Sequence, residues 1–377
     1  MVFDCLIVGA GPAGASAAYH LAKAGAAVLL IDRAPLPRDK PCGGGVSPQV
    51  AQWFDFDFSP VISTTVRRVR YTWKLGDPIE AEADIAEPLW MVRRSTFDHF
   101  LVKQAQGQGA TLWDNTKATG ITFLGDRWQV HTSRDPVEGR YLIAADGARG
   151  PLAKWLGFRD RRFRMGGALE AEPHLSLPPD PVAHFEFGLL KNGYVWNFPK
   201  ADGYSLGGGV FRTGRSEKYD LRPILADYAA TFEVDIATAP RHGHPLLIWD
   251  GDQTLHTQRA VLAGEAACVV DPFTAEGIRP AMWSGVQAAI AIQRAIAGEP
   301  DALTGYTAAM TETWGSQMRW AKRLAQVFYR APGLAYRLGM QRPSSTTTMG
   351  RLFCGEVTYA EVTQRALTRL NVGWLSG

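Results

Sequence analysis

Residues 3–32 read FDCLIVGAGPAGASAAYHLAKAGAAVLLID, and this stretch decides the fold. Residues 3–8 are an apolar run of strand length. Gly9-Ala10-Gly11-Pro12-Ala13-Gly14 follows at once. Small residues over 15–24 then have the composition of a helix that packs closely on a sheet, and a second apolar run, 27–31, ends at Asp32. Strand, GxGxxG, helix, strand and acid within about thirty residues form the dinucleotide-binding fingerprint. Each part has a physical task. Gly9 permits the tight turn, Gly11 lets backbone approach a pyrophosphate, and Gly14 lets helix and strand pack closely. The helix start offers free N–H groups and a positive dipole end to phosphate. Asp32 is placed to accept hydrogen bonds from a ribose diol, and Arg33 beside it leaves open whether that ribose is phosphorylated.

The rest of the composition bounds the function. With 377 residues the chain predicts two to three domains at about 150 residues each. Apolar residues at 46% and charged residues at 20% supply sizeable cores. Forty basic against 37 acidic residues leave +3, which gives no electrostatic footprint for nucleic acid. No uncharged apolar run reaches the roughly 18 residues of a membrane span, and no signal-type leader is read. Cys5, Cys42, Cys268 and Cys354 show no metal-ligand spacing, so no metal is expected and a reducing, cytoplasmic setting is the default.

Three later segments sharpen the cofactor. Residues 141–147 (YLIAADG) read as a strand ending in Asp146-Gly147. Residues 261–265 (VLAGE) read as another strand, leading through 272–278 (PFTAEGI) into a long helix over 279–297. A glycine-rich turn opening a helix aims N–H groups at an anion. Residues 40–48 (KPCGGGVSP) put three glycines in a row, which lets backbone approach a flat ring. With the fingerprint so early in the chain, FAD held throughout is the expected cofactor.

These residues resemble the flavoproteins of the para-hydroxybenzoate hydroxylase group, and within it are most similar to the geranylgeranyl reductase family. The resemblance runs from residue 1 to about 297. KPCGGGVSP is its family-specific part, supported by Gly193-Tyr194-Val195-Trp196-Asn197-Phe198-Pro199, which resembles the family's YxWxFP strand. The implied fold is α/β: a Rossmann-type FAD-binding domain with an antiparallel-sheet substrate domain and a helical C-terminal region. The resemblance implies FAD contacts from Gly9, Gly11, Ala13 and Gly14 to the pyrophosphate and from Asp32 to the adenosine ribose, with Arg33 beside it. It places Cys42, Gly43, Gly44 and Gly45 near the isoalloxazine and Ala118 near the adenine. It also assigns cofactor contacts to Arg94, Asp146, Gly147, Gly264, Glu265, Gly277 and Ile278. Tyr194 and Trp196 would face the substrate, and with Cys42 are the candidate catalytic residues. Two positions depart from the family: Glu265 stands where Gly-Asp is usual, and Asp32 where Glu is usual.

Residues 1–165, with an inserted strand segment near 61–90, and residues 250–300 are expected to form the FAD-binding domain. Residues 166–249 are expected to form the substrate domain and 301–377 a helical region. Short alternating runs over 65–82 and 166–245 read as antiparallel strands. Residues 177–181 read as a loop, 223–232 as a helix and 344–348 (SSTTT) as a polar loop. The aromatic and basic tail around 320–338 fits either an ordinary packed helix or peripheral contact with a membrane. Cys42 is open to three roles: proton donor, gate beside the flavin, or small residue in a tight loop. His242 and His244 read as turn or surface histidines, and Arg159, Arg161, Arg162 and Arg164 as a solvated turn.

Two activities remain. One is reduction of carbon–carbon double bonds in a prenyl chain on a lipid, quinone, chlorophyll precursor or diphosphate. The other is oxygen-dependent hydroxylation or halogenation, although the WxWxIP stretch associated with flavin halogenases reads YVWNFP here. A non-catalytic flavin and lipid carrier is a third class. A single fingerprint, used for FAD, leaves the electron donor open between NADPH and a ferredoxin.

Overall fold

The computed structural model describes residues 2–175, 180–211, 220–237 and 239–365, so residues 177–179 of the expected loop lie outside them. The two apolar runs become neighbouring parallel strands, Val2–Val8 and Val28–Ile31, joined by helix Pro12–Lys23. Cys5, Leu6, Ile7, Leu29 and Ile31 are fully buried. A strand covered on both faces carries a continuous apolar run, not an alternating one. Val137–Ala144 pairs in parallel on the other side of Val2–Val8, with Ala260–Leu262 beyond it and Thr111–Trp113 at the opposite edge.

This order explains where the motifs converge. Gly9, Asp32, Asp146 and Gly264 each lie within two residues of the C-terminal end of one of four parallel strands. Open parallel sheets bind ligands at that edge. Gly9 has φ +107°, and a Cβ there would overlap the Ala145 carbonyl. Helix Pro12–Lys23 lies against helix Ile278–Ile296 so closely that a Cβ on Gly285 would overlap the Ala13 carbonyl. The small-residue composition of the first helix permits that approach.

A second, seven-stranded sheet runs in the order Arg241–Trp249, Phe163–Ala171, Gly203–Val210, Gly193–Lys200, Val182–Phe187, Arg68–Trp73, Gly76–Glu82. Its neighbours are antiparallel except Arg68–Trp73 and Val182–Phe187, which run parallel with Tyr71 opposite Phe185. Local alternation does not encode that direction. Val195, Leu206 and Val210 face helix Leu221–Ala230. That helix starts two residues before its expected position because Asp220 caps it, accepting from Arg222 N at 3.1 Å. Trp196 and Phe198 face the other way, towards Phe185, Phe328 and Tyr336.

The C-terminal region is helical over Ala302–Met310, Ser316–Arg330, Pro332–Ala335 and Pro343–Phe353. Residues 344–348, expected as a polar loop, belong to the last of these. Thr346, Met349 and Leu352 form its buried stripe at helical spacing, so tertiary packing overrides the loop preference of the hydroxyl residues. Among the described residues no helix is long and apolar enough to cross a membrane.

Candidate active site

The strand-end edge of the first sheet and the aromatic face of the second enclose a cavity of about 670 Å³. That is within the size range of cofactor and ligand pockets. Every expected site residue except Gly14 lines it. Gly14 stands behind the turn, where a Cβ would overlap the Gly9 carbonyl.

At one end lies the fingerprint. Asp32 accepts from Ala10 N at 2.8 Å and from Ala34 N at 2.9 Å, tying the glycine turn to the second strand. Arg38 stands 3.7 Å from Asp32 and 3.3 Å from Asp98. Arg94 is bidentate on Asp98 at 2.7 and 2.8 Å. Two guanidiniums are thus fixed in the cavity lining by the buried Asp98, where both can donate to a pyrophosphate.

The middle is set by Glu265. Its longer side chain reaches strand Arg241–Trp249, where it accepts from Leu247 N at 3.2 Å and meets His244 Nε2 at 3.0 Å. Burial raises the Glu265 pKa, but the His244 hydrogen bond and the Lys40 charge more than offset it and hold the carboxyl below its usual range. Lys40 Nζ is 3.2 Å from the same His244 nitrogen. The Glu for Asp departure therefore has a structural reason, and His244 belongs to the site instead of being an isolated surface histidine. The expected solvated turn at 159–164 is also partly tied down: Arg161 donates to the Ala266 carbonyl at 2.9 Å and Arg164 pairs with Asp250 at 3.0 Å.

At the far end, the Cys42-Gly43-Gly44 loop faces Trp196, Phe198 and the start of helix Ile278–Ile296. Tyr194 donates its hydroxyl to the Thr274 carbonyl at 2.6 Å, and burial raises its pKa. Trp196 donates its indole N–H to Ser205 at 3.1 Å. Arg94 lies beside the Cys42 thiol.

The residues fit FAD. Helix Pro12–Lys23 begins at Gly11 and helix Ile278–Ile296 at Gly277, both without a side-chain cap and both opening on the cavity. Uncapped helix starts are anion sites. Asp146 Oδ1 is buried with no protein partner, and burial pushes the carboxyl up to about 6. A bound cofactor hydroxyl would satisfy that oxygen.

The FAD binding domain family matches residues 3–185. Menaquinone reductase of Mycobacterium tuberculosis is 33% identical over 308 residues, 76% of this chain and 75% of that protein. The chain belongs to the geranylgeranyl reductase family of FAD-dependent oxidoreductases. Geranylgeranyl diphosphate reductase of Synechocystis is 29% identical over 74% of this chain and 72% of its own. A geranylgeranyl bacteriochlorophyll reductase-like structure from Thermoplasma acidophilum shares the fold with a TM-score of 0.77. It is 22% identical and covers 94% of this chain and 91% of that one. The flavin-dependent halogenase CmlS has a TM-score of 0.66 and is 25% identical, covering 85% of this chain and 63% of that one.

Arg38, Lys40, Asp98, Glu170, Lys200 and His244 line or brace the site without having been expected there. Lys40, inside the KPCGGGVSP segment, and Asp98, four residues after Arg94 on the same helix, had a local signal. The others are brought in by tertiary pairing.

Proposed function

We propose that this oxidoreductase reduces carbon–carbon double bonds in a geranylgeranyl or related prenyl chain carried on a lipid, quinone, chlorophyll precursor or diphosphate. The observation that carries the reading is the aromatic wall, Tyr194, Trp196, Phe198, Phe185 and Phe211, which lines the same cavity as the uncapped helix start at Gly277. When bound and reduced, FAD supplies a hydride to one alkene carbon while a proton reaches the other. The chain's residues set the conditions for that. The expected cofactor residues over 1–165 and 250–300 hold FAD, and the sheet over 166–249 shapes the prenyl site. The aromatic wall excludes water and aligns an apolar chain. Tyr194, its hydroxyl committed to a carbonyl, acts as wall, which leaves the Cys42 thiol or a water held by it to deliver the proton. Reducing equivalents come from NADPH docking transiently or from a ferredoxin.

The test uses the FAD-loaded protein, chemically reduced without oxygen and mixed with geranylgeranyl diphosphate, a geranylgeranyl lipid and a prenylated quinone. Mass spectrometry should find products that have gained pairs of hydrogens. Unchanged chains with demonstrably reduced flavin would reject the reading. The likeness to CmlS favours an oxygen-dependent alternative, and readmitting oxygen with aromatic substrates tests it.

A lipid substrate calls for contact with a membrane surface. Val327, Leu334 and Leu338 are 71%, 59% and 61% exposed, and Arg323, Arg330 and Arg337 are exposed among them. The opposite face of helix Ser316–Arg330 buries Met318, Ala321, Ala325 and Phe328. Apolar tips ringed by arginine suit an anionic bilayer. Changing all three tips to serine should weaken sedimentation with phosphatidylglycerol vesicles by about tenfold or more. Unaltered sedimentation would remove this surface from the account.

A further inference from the structure

Two buried charged side chains, outside every motif, stand under the loop that carries Cys42. Glu170 projects from strand Phe163–Ala171 with 2% of its surface exposed, and Lys200 ends strand Gly193–Lys200 with none exposed. Glu170 and Trp196 both pair with Gly207, so they occupy one row across three strands. Lys200, four residues beyond Trp196, shares its face because strand side chains alternate.

The contacts converge on one loop. The Glu170 carboxylate accepts from the Cys42 backbone N–H and from the Ser205 hydroxyl. Ser205 in turn accepts from the Trp196 indole at 3.1 Å. Lys200 Nζ donates to the Gly43 carbonyl at 2.7 Å. On the outer side, Val92 N donates to the Gly44 carbonyl at 2.8 Å. Gly44 has φ +68°, and a Cβ there would overlap the Val92 carbonyl and crowd Lys200 Nζ at 2.8 Å. The loop is thus fixed through successive peptide groups.

Burying two opposite charges is a poor way to gain stability, because apolar residues of the same volume would serve as well or better. Their retention needs another reason. We infer that Glu170 and Lys200 are positioning residues of the reaction site, a charged clamp that sets the Cys42–Gly44 backbone and the Trp196 indole against the flavin ring. This rests on the reading that puts the loop beside that ring.

The clamp is expected to respond to pH. Burial pushes the Glu170 carboxyl up and the Lys200 ammonium down, so both titrate nearer neutrality than in water. The other charged groups facing them are Glu172, just past the end of the Glu170 strand, and Arg93, which pairs with Glu172 at 3.0 Å, together with the Cys42 thiol. When Glu170 takes up a proton as pH falls, or Lys200 loses one as pH rises, the clamp loses half its charge.

The test compares the FAD-loaded protein with its Glu170→Leu, Glu170→Gln and Lys200→Met variants. Amide exchange is read across residues 40–46 together with the visible flavin spectrum. Glu170→Leu should speed exchange at Cys42 by about tenfold or more. Lys200→Met should shift the flavin bands, and both should leave exchange in strand Val2–Val8 unchanged. Glu170→Gln keeps an acceptor, so it should partly restore protection while flattening the low-pH limb of the spectral titration. Folded variants with the parent's exchange and spectrum would overturn the clamp, and Glu170→Gln serves where Glu170→Leu does not fold. Faster loop exchange with an unshifted spectrum would also overturn it, since the loop would not face the ring. If the loop and spectrum respond but the parent protein reduces no prenyl chain, the clamp stands and the substrate assignment falls.

Discussion

Gly285→Val is expected to destabilise the protein by about 3 kcal/mol and to strip it of flavin. Gly285 lies where helix Ile278–Ile296 meets helix Pro12–Lys23, and a Cβ added there would overlap the Ala13 carbonyl and stand 3.1 Å from Ser16 Cβ. Two effects compete. Replacing a helical glycine gains up to about 1 kcal/mol in propensity. Overpacking costs about 1–3 kcal/mol, and more where the obstacle is backbone that cannot rotate aside. Here the obstacle is backbone, so overpacking wins. The first helix can yield only by moving its start, which carries the phosphate-facing N–H groups. Denaturant midpoint and flavin absorbance should therefore fall together. Gly107→Ala is the control: that glycine ends helix Arg94–Gly107, with nothing within 4 Å of the added carbon. Its stability should hold or rise slightly, and an equally small effect at Gly285 would contradict the close crossing.

Asp32→Ala should weaken FAD binding by roughly 100-fold, about 2.7 kcal/mol. The carboxylate accepts from Ala10 N and Ala34 N and sits beside Arg38. Hydrogen bonds to a charged group are worth about 1.5–3 kcal/mol each, and removing the acceptor leaves a buried N–H unpaired. The loss relaxes the glycine turn and deletes the ribose acceptor together. Asp32→Asn keeps one acceptor oxygen and should fall between. Titrating the apoprotein with FAD by flavin fluorescence measures both, and parent-like affinity in the alanine variant would show that Asp32 contributes nothing to the cofactor.

The cofactor half was legible because its signals are local. Gly9, Gly14 and Asp32 belong to one run of about thirty residues whose geometry permits few alternatives. Tyr194 and Trp196 were legible through the resemblance to the YxWxFP strand, and the period of two adds Phe198 on the same face. Glu170 and Lys200 were not. A glutamate in LEA and a lysine after a proline look like solvent residues until Gly207 places one of them in a row with Trp196. The Arg68–Trp73 to Val182–Phe187 pairing was hidden for the same reason: strand direction across a long separation leaves no local trace. Residues 344–348 misled because hydroxyl residues favour loops unless packing intervenes, and Thr346 packs.

The interleaving of the two sheets also bears on how the molecule is made. The first βαβ unit is complete at residue 31, yet the sheet it belongs to gains Ala260–Leu262 only much later. At about 5–20 residues per second on the ribosome, strand Val137–Ala144, which pairs with Ala260–Leu262, waits on the order of 6–25 s with that edge uncovered. The second sheet waits too, since Arg68–Trp73 needs Val182–Phe187 and Phe163–Ala171 needs Arg241–Trp249. The nascent chain is therefore a natural client for chaperones that shield emerging strands, and a ribosome stalled before residue 260 holds an aggregation-prone fragment in place of a smaller finished domain.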